Sequence, residues 1–244
     1  MPIQTKPFDF WGGETLLIDK PLKWTSFDVV NKLRIAISQI HTPRKKVKVG
    51  HAGTLDPLAT GLLIVCTGKN TKTINELQAL TKEYTGTFTL GATRPSYDME
   101  TEIDQTFDIS NITEQAVGQA TESFIGVIEQ FPPIFSAIKV DGKRLYLSAR
   151  KGQEVELKAR TIEIHEFEIT KIELPDVHFR IHCGKGTYIR SIAYDFGKAL
   201  NNGAYLSSLR RTKIGEHNIL DAWELETLIA KIKEITSENG ESEK

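Results

Sequence analysis

Asp56 is the only carboxylate in the stretch GHAGTLDPLATGLLIVCTG, which runs from Gly50 to Gly68. It stands between Leu55 and Pro57, entered from a basic run and leaving into an apolar one. Proline disfavours the helical region for the residue before it, so Asp56 reads as extended or turning. Gly50, Gly53 and Gly61 permit backbone shapes that other residues resist. The segment therefore reads as a rigid loop that presents one side chain. A carboxylate with a reference pKa of about 3.9 is ionised near neutral pH. It suits a nucleophile or a general base, and Asp-Pro is equally a common turn opener. The local residues leave these roles open.

Other chemistries fit less well. TGKNTK and GKGTY both contain Gly-Lys, but a phosphate loop needs a glycine five residues earlier and Ser or Thr after the lysine. Leu63 and Phe179 occupy the glycine positions, and Asn70 and Gly186 follow the lysines. Of the histidines, only His178 and His182 are four apart, in a strand-like run with no glutamate between them, which is not a zincin site. Cys66 and Cys183 are the only cysteines, too few for a disulfide scaffold or a cysteine-rich zinc site. Cys66 lies in an apolar strand-like run, where a thiol reads as an inert core residue.

The elements around Asp56 read as mixed. ETLLIDK is a short strand, and LLIVCT a buried one. TSFDVVNKLRIAI starts with cap residues Thr25 or Ser26 and carries Val30, Leu33 and Ile37 at helical spacing. EYTGTFTL alternates, with Tyr84, Phe88 and Leu90 on one face and threonines on the other. ITEQAVGQATESFI reads as a helix capped by Thr113. VDGK, from Val140 to Lys143, has the Asp-Gly of a tight hairpin. RTIEIHEFEITKIEL and VHFRIHC alternate as strands. TYIRSIAYDFGKALNNG reads as a helix with Gly203 near its C-terminus, and a last helix follows Leu220. The expected fold class is α+β, with largely antiparallel pairing.

The 244 residues, 39% apolar, suffice for one substantial core. No apolar run approaches a membrane span, and the N-terminus has no signal pattern, so the cytoplasm is the expected location. A net charge of −1 hides segregation. Arg44, Lys45, Lys46 and Lys48 form one basic group before the Asp56 loop. Lys139, Lys143, Arg144, Arg150 and Lys151 form a second, and Arg210, Arg211 and Lys213 a third. The acids collect in SYDMETEIDQTFD and in the tail. Such clusters permit a polyanion partner without demanding one.

GHAGTLDPLATGLL closely resembles the signature loop of the TruB-type tRNA pseudouridine synthases. Further motifs follow in that family's order: DKPLKWTSFDVV, TGKNTK, KEYTGTFTLG, PPIFSAIKVDGKRLYLSAR, GTYIRSIAYDFG and LRRTKIG, together covering about residues 14–235. The resemblance implies the pseudouridine synthase fold, a large mixed and mainly antiparallel sheet flanked by helices. It implies one catalytic domain over residues 1–235, with a C-terminal lobe from about 177, then a polar acidic tail over 236–244. It implies isomerisation of the T-loop uridine at tRNA position 55, without metal or cofactor. Asp56 matches the family nucleophile. Tyr84 matches the tyrosine that stacks on the target base, and Arg190 the arginine that pairs with the catalytic carboxylate. Leu209 matches an apolar pocket residue, and His51 a histidine that helps hold the RNA loop with its base flipped out. Nothing local brings Arg190 near Asp56.

The basic groups then acquire a partner, the T arm of tRNA, with no obligate protein partner and a monomeric enzyme expected. Extruding a base costs about a few kcal/mol. Phosphate contacts from Arg44, Lys45, Lys46, Lys48, Lys143 and Arg144, with Arg150 another contributor, would offset this without reading sequence. Two departures stand out. The family usually has glycine where Lys23 stands in KPLK, and a lysine fits poorly if that site needs positive φ. The C-terminal RNA-binding PUA module of many relatives is not expected after the last match.

Overall fold

The computed structural model describes residues 7–40, 45–135, 139–140, 143–144 and 157–241. Its strands are β1 (Thr15–Lys20), β2 (Val49–His51), β3 (Ala59–Thr67), β4 (Lys82–Leu90), β5 (Ala92–Thr93), β6 (Gln105–Thr106) and β7 (Gly126–Gln130). Then come β8 (Lys139–Val140), β9 (Lys143–Arg144), β10 (Arg160–Glu173), β11 (Asp176–Cys183), β12 (Ala204–Ile214), β13 (His217–Asn218) and β14 (Trp223–Glu224). The helices are α1 (Ser26–Ser38), α2 (Ile74–Ala79), α3 (Glu114–Ala120), α4 (Ile189–Ala199) and α5 (Leu225–Glu241). The class is α+β, with a large mixed sheet, as the alternating runs predict. The chain divides into two compact units, Met1–Lys82 with Arg210–Lys244, and Glu83–Leu209. Strands β4 and β12 contribute residues to both.

In the first unit the hydrogen-bonded order is β14-β1-β3-β12, with β2 on β3 and β13 on β12. β1 runs parallel to β14 and antiparallel to β3. β3 is apolar on both faces, and its two-residue period sends alternate side chains to two cores. Leu63 and Val65 join Leu16, Ile18, Val30, Leu33, Ile37, Trp223 and Leu228 on the side of α1 and α5. Leu62, Ile64 and Cys66 join Ala52 and Ile214 on the other. α1 begins at the cap Thr25, whose hydroxyl accepts from the Asp28 N–H, while the Asp28 carboxylate accepts from the Thr25 N–H at 2.9 Å. The Thr25 hydroxyl also donates to the Asp28 carboxylate at 2.6 Å, and this bond first, then that from the Thr25 N–H, holds the Asp28 carboxyl below its ordinary range. Both halves of this capping box lie in the motif DKPLKWTSFDVV.

In the second unit the order is β12-β4-β11-β10-β7. β10 and β11 are antiparallel, as are β7 and β10. The core is aromatic: Phe88 stacks on Phe179 at 4.1 Å between centroids, and Phe167, Phe124 and Phe196 close around them. Tyr84, Phe88 and Leu90 are buried as the alternation of β4 requires, although Thr87 is buried too, its hydroxyl held by His178 and Ser208. The pairing of Val140 with Lys143 leaves two residues between β8 and β9, the register expected of the Asp-Gly hairpin. Three elements differ from the sequence reading. α3 stops at Ala120, followed by a 3₁₀ turn over Thr121–Phe124. After α4 the left-handed residue is Asn201, with φ 51°, rather than Gly203. α5 runs to Glu241, into the stretch read as a polar tail.

Candidate active site

Asp56 lies in the loop between β2 and β3, half-buried, between a buried Leu55 and an exposed Pro57. The loop is pinned from several directions. Ser26, the first residue of α1, donates its hydroxyl to the Leu55 carbonyl at 3.1 Å and accepts from the Leu55 N–H at 2.9 Å. The Lys23 N–H donates to the Pro57 carbonyl at 2.8 Å, and the Ala59 N–H to the Asp56 carbonyl at 3.0 Å. The backbone on either side of Asp56 is therefore fixed by hydrogen bonds, as an irregular segment with a buried flank requires.

Arg211 supplies the rest. It is only 1% exposed and points inward from β12. Its guanidinium donates to the carbonyls of Leu62 at 2.7 Å, Gly53 at 3.1 Å and Thr54 at 3.5 Å. Gly61 permits this approach. Its φ is +103°, and a Cβ there would lie 2.3 Å from the Arg211 carbonyl oxygen. No other residue type fits both demands. Its neighbour Arg210 is bidentate to Asp19, at 3.0 and 2.6 Å. The third basic group of the sequence thus supplies two arginines to internal structure.

Lys20 is fully buried at the end of β1, and its ammonium donates to the carbonyls of Pro21 at 3.0 Å and Trp24 at 2.6 Å. Burial lowers its pKa to about 8, and Asp56 is the charge that most opposes this, ahead of Asp28 and Asp19, while Arg211 adds to the lowering. The carboxylate of Asp56 therefore sits in the field of Lys20, which Arg211 also reaches. His51 ends β2 with its Nδ1 buried and without a hydrogen-bond partner among the described residues. Burial holds its imidazole below the usual pKa, with Arg211 acting in the same direction and the Gly53 backbone against it. Near neutral pH His51 is an uncharged group beside the loop.

In the second unit, Tyr84 is 8% exposed on β4, and Leu209 is half-buried on β12. Arg190 is 4% exposed in the first turn of α4. It donates to the carbonyls of Ser96 at 3.3 Å and Phe135 at 3.0 Å, and its Nε lies 3.6 Å from the Asp98 carboxylate. Asp98 itself is only 5% exposed, so this is a buried ion pair.

The structure thus places His51 and Asp56, with Lys20, Ser26 and Arg211, in one unit. It sets Arg190 on Asp98 in the other. The roles of Lys20, Ser26, Asp98 and Arg211 do not show in the sequence. Lys20 and Ser26 fall inside DKPLKWTSFDVV and Arg211 inside LRRTKIG, so the motifs mark them without showing what they do. Asp98 lies in a run of acids with nothing local to separate it. Cys66 is buried, and burial raises its thiol pKa, as an inert core residue requires.

Lys45, Lys46 and Lys48 are exposed, Lys45 lying over the Trp11 ring at 5.4 Å. They are at the far end of the β2–β3 pair from Asp56: the Lys48 carbonyl accepts from Gly68, just past β3, whereas Asp56 precedes its start. β3 has nine residues, so the separation is roughly 25 Å at about 3.3 Å each. Arg44 lies outside the described residues. Lys143 and Arg144 are described only as the strand β9. Among the described residues no group of three His, Cys, Asp or Glu side chains is arranged to hold a metal ion. No helix among them is long and apolar enough to cross a membrane.

Comparison with known proteins identifies the family. The family described as TruB family pseudouridylate synthase (N terminal domain) matches residues 41–189. The tRNA pseudouridine synthase B of Flavobacterium johnsoniae is 60% identical over 217 residues, covering 88% of this chain and 94% of the relative. That of Bacteroides thetaiotaomicron is 50% identical over 237 residues, covering 96% and 98%. Among solved structures, a Cbf5-Nop10-Gar1 complex contains a chain that matches with a TM-score of 0.67 and 29% identity. It covers 91% of this chain, which spans about half of that longer one, 54%. The fold is accordingly that of the pseudouridine synthases. With a family match over more than half its length and near-complete relatives at this identity, the chain belongs to the TruB family of pseudouridylate synthases.

Proposed function

We propose that this protein isomerises the T-loop uridine at position 55 of tRNA to pseudouridine, with Asp56 as nucleophile on a flipped-out base. The observation that carries the reading is the Asp56 loop, whose backbone is fixed by Ser26, Lys23 and Arg211 while Asp56 itself stays half-buried. A rigid loop offering one anion is what a reaction at a single sugar–base junction needs. The relatives' names supply the substrate class.

The reaction breaks the bond from N1 of the base to the ribose and rejoins the base through C5. The proton on C5 is lost, and N1 gains one. The atoms balance without any outside electron or group. The site must hold the loosened base and exclude water, which would otherwise leave a cleaved sugar. Tyr84 stacks on the base, and Leu209 completes the apolar wall. The family resemblance assigns Arg190, which here faces Asp98, to the catalytic carboxylate, and His51 to the loop from which the base has been turned. Lys45, Lys46, Lys48 and Arg44, with Lys143 and Arg144, bind phosphates and offset the cost of extrusion. The enzyme works as a cytoplasmic monomer on tRNA alone, in one catalytic domain, without metal, cofactor or obligate protein partner.

A second reading rests on the likeness to chains solved within the Cbf5-Nop10-Gar1 complex and an H/ACA RNP bound to a substrate RNA. In it the protein would act only with a guide RNA. One experiment separates the two. Purified protein is incubated with unmodified tRNA transcripts, and pseudouridine is mapped by chemical modification. Conversion at position 55 without guide RNA is expected, and none with Asp56→Asn, a near-isosteric change that should leave tRNA binding within a few-fold. Turnover by the Asn protein, once deamidation is excluded, would remove Asp56 as nucleophile.

A further inference from the structure

Arg190 and Tyr194 stand four residues apart on α4, and so share one face of the helix. Both grip the same short turn. Arg190 donates to the carbonyl of Ser96 and faces the carboxylate of Asp98. Between those two residues lies Tyr97, whose ring stacks on Tyr194 with centroids 4.1 Å apart and planes at 16°. Lys198, one further turn along α4, lies 4.6 Å over the Tyr194 ring.

The backbone of Tyr97 has φ 63°, the left-handed region that a bulky side chain rarely adopts. Such a residue persists only where its surroundings over-determine it. Here its N–H donates to the Arg94 carbonyl, and its carbonyl accepts from the Leu206 N–H, both at 2.9 Å. The neighbouring Ser96 hydroxyl donates to the Asp98 carbonyl at 3.0 Å. The Tyr194 ring ties this turn to the helix bearing Arg190 through a side chain other than Arg190 itself. Because two of the partners of Arg190, Ser96 and Asp98, flank Tyr97 in sequence, any rotation at Tyr97 moves both together.

We propose that the Tyr97–Tyr194 stack is a positioning device for Arg190: it holds Ser96 and Asp98 at the place where the guanidinium must be presented. The inference rests on the proposed role of Arg190 toward Asp56. A phenol suits the task, since burial first, then Tyr194, Asp195 and Asp104, pushes the Tyr97 hydroxyl up to about 12. No phenolate competes with Asp98 for the arginine.

The test uses Tyr97→Gly and Tyr194→Leu in the full chain, with Tyr97→Phe, Tyr194→Phe and Arg190→Lys alongside. Glycine accepts φ 63° without strain, so Tyr97→Gly removes the ring while favouring the turn. Displacement of a reacting group by an ångström costs up to about a hundredfold. The expected result for both stack-breaking variants is a kcat on tRNA at least about tenfold lower, with KM within twofold. Both Phe variants keep the stack and should turn over as wild type does. The Arg190 Nε–H, identified in side-chain NMR by its loss in Arg190→Lys, should exchange faster with solvent when the stack is broken. That signal needs no activity. Unchanged kcat and unchanged exchange, with or without a lower Tm, overturn the proposal. Full activity of Arg190→Lys would instead refute the role of Arg190, and a defect confined to KM would assign the stack to RNA binding.

Discussion

Replacing Lys23 by glycine should stabilise the protein. Lys23 has φ 67°, and its side chain is exposed. A residue with a Cβ in this region pays roughly 1–2 kcal/mol relative to its preferred conformations. Glycine does not, but it gains freedom in the unfolded chain, worth roughly 0.4–1 kcal/mol against folding. The difference is a net stabilisation of about 0.5–1 kcal/mol. For a chain of this size that raises Tm by roughly 1–4 °C. The one backbone bond at stake, from the Lys23 N–H to the Pro57 carbonyl at 2.8 Å, survives in glycine. It anchors the residue after Asp56, so turnover well below Tm should stay as in wild type. Lys23→Ala is the essential control. It removes the same charge and aliphatic stem but keeps the Cβ, and should give no gain. The assay is thermal unfolding of all three proteins at one pH and salt concentration. A Tm for Lys23→Gly no higher than for Lys23→Ala would refute the argument from backbone strain.

Other outcomes follow from the same geometry. Changing Lys45, Lys46 and Lys48 to Ala should weaken tRNA binding and lower the salt slope of log affinity by about 0.7–0.9 for each phosphate no longer neutralised. Turnover at saturating tRNA should persist, since these lysines lie roughly 25 Å from Asp56 by strand rise. Unchanged affinity across a salt series would make them plain solvated surface. Lys20 sheds its proton near pH 8 in the folded state and near 10.5 when unfolded. Between those values the unfolded chain binds more protons, so folding stability gains as pH rises. The Tm of wild type should therefore climb relative to Lys20→Met from pH 8 to 10, and a flat difference would contradict the buried, charged lysine. Activity should survive EDTA and dialysis; inactivation reversed by zinc but not magnesium would show a metal requirement.

What was legible in the sequence was local. The Thr25 cap, the alternation of β4, β10 and β11, and the Asp-Gly hairpin each depend on residues within a few positions of one another. Pro57 and the glycines of the Asp56 loop act locally too, but the bonds from Ser26, Lys23 and Arg211 that pin it come from far along the chain. Arg211 shows the limit. Alternation along LRRTKIG says that its two arginines face opposite ways, not which one is buried. The carbonyls that receive Arg211 lie 149 to 158 residues away in the chain. The same holds for Asp98, which becomes distinct from its acidic neighbours only when α4 carries Arg190 to it. The Lys23 turn falls between these cases. The family's glycine raises the question of positive φ, and the structure answers it with φ 67° on a lysine.

Buried Lys82 donates to the carbonyls of Gln78 and Leu80, and three further buried cations among the described residues hold other irregular backbone. Arg211 satisfies Leu62, Gly53 and Thr54; Arg190 satisfies Ser96 and Phe135; Lys20 satisfies Pro21 and Trp24. These carbonyls lie where ladder or helix bonding is incomplete, and would be costly to bury unpaired. A guanidinium suits the first two positions because its donors diverge in a fixed plane and reach several carbonyls at once. An ammonium is compact and suits the tight turn after β1, where both acceptors lie within four residues of Lys20. The choice has a consequence for charge. Lysine loses its proton readily when buried, and Lys20 does so near pH 8. Arginine in proteins does not. The positive field around the Asp56 loop is therefore built from one component that fades in mild alkali and one, Arg211, that persists.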